Sequence, residues 1–184
     1  MFETITKIDI DILTFISRNI RCSFLDEFFR IITKLGDHGI IPIFLAVVLI
    51  CFPKTRKTGI AMGIAMALGG IVGNLLLKNV VGRIRPYDVL EGIELLIPAL
   101  SDFSFPSGHT LVCFEAATVL FIRQRHSVGI LAMILAILVA FSRLYLFVHY
   151  PTDVIAGVIL GIIFGFIGSY TVDKISKKFN ANKT

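Results

Sequence analysis

The sequence predicts an all-α protein, a polytopic membrane helix bundle with about five transmembrane helices and an N-terminal amphipathic helix. Hydrophobic residues make up 55 % of the 184 residues, and the mean hydropathy is +0.85. Soluble domains of this size are nearer about 45–50 % apolar, so the excess indicates contact with lipid. The basic residues of this chain, whose net charge is +5, collect at the ends of apolar runs. That distribution indicates membrane topology and not a nucleic-acid partner.

Residues 1–23 are predicted to form an amphipathic helix on the membrane surface. Apolar residues recur at helical spacing from Ile5 to Ile16, and Asp9, Asp11 and Arg18 lie between them. Because buried acids are costly in a bilayer, a surface position is favoured over a spanning helix.

Four apolar segments predict spanning helices, and a fifth is added on weaker grounds. The segments are Gly59 to Leu77, Ser107 to Ile122, Val128 to Val148 and Val154 to Tyr170. A bilayer core needs about 20 helical residues, so the second and fourth are only just long enough. The fifth, Ile40 to Phe52, reaches that length if its helix begins near Phe24, although the intervening glycines and Pro42 favour a kink.

The whole chain, 1–184, is expected to form one membrane-embedded domain that ends in a basic, frayed tail at 173–184. Basic residues also lie in the connections near 54–57 and 123–125. Alternating helices place these three basic segments on one side, which the positive-inside rule makes cytoplasmic. The acidic connection from Asp88 to Ser104 then lies outside the cell membrane.

Chemically versatile residues collect at the outer helix ends. Lys78 and Arg85, seven residues apart, are predicted to share one face of a helix that stops before Pro86. The other outer ends carry Ser107, Gly108, His109, Ser142, Arg143, His149 and Asp153.

This set of residues suits phosphoryl transfer. Three cations and a helix N-terminus can bind a phosphate dianion, and arginine can pair two of its oxygens. His149 can attack phosphorus while Asp153, four residues later, holds its other ring nitrogen. His109 can protonate the leaving oxygen and then activate water. The cations Lys78, Arg85 and Arg143 would stabilise the charge that Mg²⁺ stabilises in kinases, so no metal or other cofactor is expected.

Three motifs at these positions resemble those of the type-2 phosphatidic-acid phosphatase family, relatives of the vanadium haloperoxidases. Lys78 is followed after six residues by Arg85-Pro86. Pro106-Ser107-Gly108-His109 comes next, and Ser142-Arg143 is followed by His149 and Asp153 at the family's spacing.

The resemblance implies metal-independent hydrolysis with His149 as nucleophile, Asp153 as its partner and His109 as acid/base. It also implies that Lys78, Arg85, Ser107, Gly108 and Arg143 bind phosphate. Many bacterial members have six spanning helices, so this chain's five plus a surface segment is a departure from the family pattern.

Several polar residues near the site leave alternatives open. For Arg83, a solvated or headgroup-facing charge is favoured over substrate contact. For Glu115, a structural bond, for example to Asn74, is favoured over a functional role. Tyr87 is assigned to the loop or to the lipid entrance, and Tyr150 to the membrane interface.

The function predicted is lipid phosphatase activity at the extracytoplasmic face of the cytoplasmic membrane. Undecaprenyl diphosphate is the preferred substrate by analogy with small family members. Phosphatidylglycerophosphate and phosphatidic acid are the alternatives, and a non-enzymatic lipid-phosphate binding or transport protein is the alternative of another class. The predicted partners are a lipid phosphate and the bilayer, and the sequence leaves the oligomeric state open.

Overall fold

The computed structural model describes residues 2–90 and 92–181, and the prediction for residues 182–184 of the tail lies outside them. The described residues form nine α-helices and no strand. The helices are α1 (Phe2–Asn19), α2 (Ser23–Thr33), α3 (Ile40–Cys51), α4 (Arg56–Leu68), α5 (Lys78–Val81), α6 (Pro86–Val89), α7 (Gly108–Arg123), α8 (His126–Tyr145) and α9 (Pro151–Ala181).

Among the described residues, four helical segments are long and apolar enough to cross a membrane: Ser23–Cys51, Arg56–Val89, His126–Tyr145 and Pro151–Lys178. The predicted all-α membrane fold is therefore confirmed. Helix α7 has 16 residues and would span only about 24 Å, yet it packs against α3, α4, α8 and α9. It is the central helix of the bundle.

The first spanning segment is kinked where the sequence predicted a kink. A 3₁₀ turn, Lys34–Gly39, joins α2 to α3, with His38 and Gly39 at φ 49° and 67°. This break directs the Asp37 side chain towards the bundle, as described below.

The second spanning segment differs from the prediction at its outer end. A π-helical stretch, Gly69–Leu77, continues α4 into α5, which stops at Val81 because Gly82 turns left-handed at φ 57°. Arg85 is in extended backbone, so the prediction that Lys78 and Arg85 share a helix face is wrong.

The close packing of α9 on α7 depends on small residues along α9. A Cβ at Gly161 would lie 2.6 Å from the Cβ of Phe114, and one at Gly165 would lie 2.6 Å from the Cβ of Thr118. Glycine at these positions lets the two backbones approach, as in membrane helix pairs generally. Helix α9 continues to Ala181, so the prediction of a frayed tail from residue 173 is wrong for the described part.

Helix α1 is amphipathic, as predicted, but Asp9 lies on its buried face, whereas the prediction places the acids away from the buried side. Ile8, Ile12 and Phe15 are exposed, whereas Leu13 packs against Phe147 and Tyr150. Asp9 is also buried, at 1 % exposed, where α1 meets α9. The helix therefore binds the bundle through a face that contains a carboxylate.

Candidate active site

The motif residues come together at one end of the bundle, each placed by a helix end or a turn. Lys78 begins α5, Ser107 precedes α7, and His109 is in its first turn. His149 follows the turn after α8, and Asp153 is in the first turn of α9.

His149 is almost completely buried, at 1 % exposed, and its two ring nitrogens have different neighbours. Nδ1 lies 3.6 Å from Oδ2 of Asp153 and 3.5 Å from Oγ of Ser104, whose hydroxyl donates to the same carboxylate oxygen at 2.5 Å. Nε2 faces Nη1 of Arg85 at 3.3 Å. A proton on Nδ1 therefore leaves the Nε2 lone pair on the side of the cations.

The surroundings of His149 also keep its imidazole neutral. Burial is the largest cause that lowers its pKa, and the Arg143 and Arg85 charges lower it further against the opposing effect of Asp153. The resulting pKa is about 3. At neutral pH the ring is thus neutral, with one of its two nitrogens free to act as a base or nucleophile.

Arg85 is held by backbone carbonyls as well as by a carboxylate. Its Nη1 donates to the carbonyl of Val148 at 2.7 Å, and its Nε donates to the carbonyl of Asp102 at 2.8 Å. Nη2 donates to Oδ1 of Asp102 at 2.7 Å, and Lys78 forms an ion pair with the other carboxylate oxygen. Asp102 thus bridges the two cations that the motif assigns to phosphate.

Asp102 is a residue that sequence reasoning missed, because it appeared only as one acid of an acidic connection. Burial raises its pKa, but the bonds and charges of Lys78 and Arg85 outweigh burial and lower the pKa to about 2. At neutral pH the charged carboxylate of Asp102 therefore occupies the space between Lys78 and Arg85.

His109 also has a carboxylate partner that no motif includes. Its Nε2 lies 2.8 Å from Oδ1 of Asp37, in the 3₁₀ turn between α2 and α3. The signal in the sequence was the pair of glycines that flank Asp37 and His38, which predicted a kink but not the contact.

Arg143 is a buried cation, 1 % exposed, whose donors are only partly satisfied. Nη1 donates to Oγ1 of Thr33, while Nε and Nη2 have no hydrogen-bond partner among the described residues. Unsatisfied buried donors of a charged group are costly, and phosphate oxygens would satisfy them.

Ser107 and Gly108 are at the N-terminus of α7, beside the histidine–aspartate pair. The Ser107 amide donates to the carbonyl of Asp153 at 3.2 Å, and its hydroxyl accepts from Thr110 at 3.0 Å. Gly108 lines the cavity described next.

A cavity of about 920 Å³ connects the polar site to the apolar interior. Its outer wall includes Lys78, Arg85, Asp102, His109 and His149. Its inner wall includes Ile43, Met66, Gly70, Leu111 and Glu115. One space thus joins a cationic end to a mainly apolar one.

Two expectations for neighbouring residues, Arg83 and Tyr150, are wrong. Arg83 is not a solvated charge, because it pairs with Asp9 and Asp153. Tyr150 is buried beneath Arg83 and is not an interfacial anchor. The structural bond expected of Glu115 stays a prediction: the side chain lies against Gly69, and its Oε1 has no hydrogen-bond partner among the described residues.

The loop role expected of Tyr87 agrees with its contacts. Its hydroxyl donates to the carbonyl of Leu100 and accepts from the amide of the same residue, both at 3.0 Å. Tyr87 therefore holds the connection that carries Asp102.

Comparison with known proteins tests the resemblance that the motifs suggested. The sequence family described as the PAP2 superfamily matches residues 58–177, which include every motif position. This chain belongs to the PAP2 superfamily. Its described part holds no group of three or more His, Cys, Asp or Glu side chains placed to bind a metal ion.

Several PAP2 relatives are named for lipid diphosphates. Undecaprenyl-diphosphatase of Sulfolobus acidocaldarius is 38 % identical over 119 residues, which are 65 % of this chain and 57 % of that protein. Undecaprenyl-diphosphatase BcrC of Bacillus subtilis is 33 % identical over 145 residues, 79 % of this chain and 74 % of that protein.

Two solved structures share the fold. The phosphatidylglycerolphosphate phosphatase of Bacillus subtilis matches with a TM-score of 0.77 and 28 % identity, over 94 % of this chain and 88 % of that one. LpxE of Aquifex aeolicus matches with a TM-score of 0.69 and 31 % identity, over 86 % of this chain and 92 % of that one.

Proposed function

We propose that this PAP2 protein is a membrane lipid phosphatase that works through a phosphohistidine intermediate, without a metal. The observation that carries the proposal is a cavity lined by the two motif histidines and the cations Lys78 and Arg85 together with apolar residues, with Glu115 among these. A lipid with its phosphate at the cationic end and its chain along the helices matches both walls.

In the first step, Nε2 of His149 attacks phosphorus and the bond from phosphorus to the leaving oxygen breaks. The proton stays on Nδ1, facing the carboxylate of Asp153, whose negative charge stabilises the positive charge that develops on the ring. His109 gives a proton to the leaving oxygen. Since Nε2–H of His109 donates to Asp37, His109 must enter this step doubly protonated, and the transferred proton comes from Nδ1.

In the second step, His109 takes a proton from water, the water oxygen attacks phosphorus, and the phosphorus–nitrogen bond to His149 breaks. Inorganic phosphate leaves and the enzyme returns to its first state. Lys78, Arg85 and Arg143 neutralise the phosphoryl oxygens throughout, together with the Ser107 and Gly108 end of α7. Asp102 must give up its place between Lys78 and Arg85 when phosphate binds.

For the substrate, we propose undecaprenyl diphosphate, because relatives from both Sulfolobus and Bacillus are named for its hydrolysis. Phosphatidylglycerophosphate is the second candidate, favoured by the likeness to the solved Bacillus phosphatase over 94 % of this chain. Both lipids present a phosphate beside a long apolar chain.

We further propose that the site opens on the outer face of the cytoplasmic membrane. The basic ends of α4, α7 and α9 lie together: Gln124 bonds to Thr58, and Arg123 bonds to Ser169 and Asp173. The active site is at the opposite end of the same helices. The positive-inside rule assigns the basic end to the cytoplasm.

The test is phosphate release in EDTA by detergent-purified protein, offered undecaprenyl diphosphate, phosphatidylglycerophosphate and phosphatidic acid. His149→Ala should lose at least about 10⁴-fold in activity, because the nucleophile is gone. His126→Ala, at an exposed histidine of the basic end, is the matched control and should retain full activity. Release that requires Mg²⁺, or that survives His149→Ala, would contradict the mechanism. Binding of these lipids without any release would favour the transport or binding alternative.

A further inference from the structure

An acid of the N-terminal helix reaches the catalytic carboxylate through one arginine. Nη2 of Arg83 donates to Oδ2 of Asp9 at 2.7 Å, and Nη1 donates to Oδ1 of Asp153 at 2.6 Å. Arg83 thereby joins helix α1 to helix α9, and its two bonds span 74 and 70 residues of sequence.

Thr152 closes this network at the N-terminus of α9. Its amide donates to Oδ1 of Asp9 at 3.1 Å, and its hydroxyl donates to Oδ2 of Asp9 at 2.6 Å. The Asp9 carboxylate thus accepts one of the free amide donors that begin a helix, next to the catalytic Asp153.

Arg83 itself has little freedom to move. Its guanidinium carbon lies 3.8 Å from the centre of the Tyr150 ring, a cation–π arrangement, and its side chain is 20 % exposed. Arginine suits this position because its planar fork can bond two carboxylates at once, which a lysine ammonium does less rigidly.

The two oxygens of Asp153 have separate functions in this arrangement. Oδ2 accepts from the Ser104 hydroxyl and the Tyr150 amide and faces Nδ1 of His149, whereas Oδ1 is held by Arg83. With both oxygens engaged, the carboxylate plane is fixed relative to the imidazole. Arg83 therefore contacts the carboxylate through the oxygen that does not face His149.

We propose that Asp9 and Arg83 are positioning residues for catalysis, and that helix α1 is part of the active site through them. They fix the carboxylate that orients His149, and they do not bind the phosphate. The inference rests on the proposed phosphatase function, and it explains why an amphipathic helix buries an acid at 1 % exposed.

The experiment measures kcat, KM and the inhibition constant of inorganic phosphate for Asp9→Asn, Arg83→Lys and Arg83→Gln in the full-length protein. Asp11→Asn is the matched control, because Asp11 is an exposed acid of the same helix. Outer-shell partners of metal-bound histidines typically change activity by roughly 10- to 100-fold, and we expect a similar range here by analogy. We expect Asp9→Asn near the lower end of that range and Arg83→Gln near the upper end, with Arg83→Lys partly restoring kcat.

A positioning role is distinguished from a substrate contact by whether kcat changes or KM changes. KM and the phosphate inhibition constant should stay within about twofold, because the cations that bind phosphate are untouched. The double variant Asp9→Asn/Arg83→Gln should lose no more kcat than Arg83→Gln alone, since both residues act through one network. Thermal melting in detergent identifies any variant that has lost its fold, and the comparison is then made with the remaining variants.

Three results would overturn the proposal. A rise in KM or in the phosphate inhibition constant with kcat unchanged would make Arg83 a substrate contact. Additive losses in the double variant would show separate actions. Unchanged kcat with a lower melting temperature would make the network a structural anchor only. These outcomes are separate from failure of the proposed function, which would appear as no phosphate release by the unmodified protein.

Discussion

The active site contains two histidine–carboxylate pairs that differ in almost every physical respect. His149 and Asp153 are four residues apart and are both buried, at 2 % and 0 % side-chain exposure. His109 and Asp37 are 72 residues apart, and their side chains are 18 % and 47 % exposed beside the cavity. The first pair belongs to one turn and helix start, whereas the second joins α7 to the first spanning segment.

The difference corresponds to two chemical tasks. A nucleophile must hold one tautomer in a dry, fixed environment, which the buried pair provides. An acid/base must exchange protons with the substrate and with water, which requires access to the open cavity. We infer that the partner of His149 serves orientation, and that the partner of His109 tunes proton transfer.

The largest expected effect is that of Asp153→Asn. The amide keeps the shape of the side chain but no longer favours a proton on Nδ1 of His149, so the wrong tautomer is populated. By analogy with the aspartate of serine-protease triads, kcat should fall by about 10⁴-fold. Steady-state phosphate release measures this, and a loss below tenfold would show that Ser104 and Arg85 orient the ring without the carboxylate.

A smaller effect is expected for Asp37→Asn, roughly 10- to 100-fold, because it removes only a part of general acid–base catalysis. The loss should be greater for a substrate with a poor leaving group, such as a monoester, than for a diphosphate, whose leaving phosphate needs less protonation. Parallel rates on undecaprenyl diphosphate and phosphatidic acid would check this. Equal losses on both substrates would show that Asp37 only holds the kink.

The smallest effect, and one of opposite sign, is expected for Asp102→Asn. Asp102 is 51 % side-chain exposed and competes with phosphate for Lys78 and Arg85, so its neutralisation should lower KM. Because exposed ion pairs contribute little free energy, KM should fall by only roughly 2- to 5-fold.

The pH dependence provides a further check on Asp102. Because the pKa of Asp102 is lowered to about 2, its carboxylate is charged throughout the range from about pH 5 to 8. The ratio of the KM of the unmodified protein to the KM of Asp102→Asn should therefore be constant over that range. A ratio that approaches one towards pH 5 would contradict this expectation. A higher KM for Asp102→Asn would also contradict it and would make Asp102 part of the binding site.

Which contacts could be predicted depended on their distance along the chain. His149 and Asp153 were paired from their spacing alone, since four residues across a helix start nearly determine their separation. Asp37 and Asp9 were not paired with anything, because each meets its partner across more than seventy residues. Arg83 was assigned to solvent on the assumption that its helix continued to Arg85, and Gly82 ends that helix earlier.

The sequence by itself determined the membrane class, the all-α fold, the family and the residues of the three motifs, because hydropathy and local spacing follow directly from residue order. Only the tertiary structure decided which carboxylates meet which cations. Asp9, Asp37 and Asp102 belong to no motif in the sequence that would tell them apart. One is buried against Arg83, one holds His109, and one bridges Lys78 and Arg85. Helix packing, kinks and an early helix end bring these partners together, and such long-range geometry has no local signal in the chain.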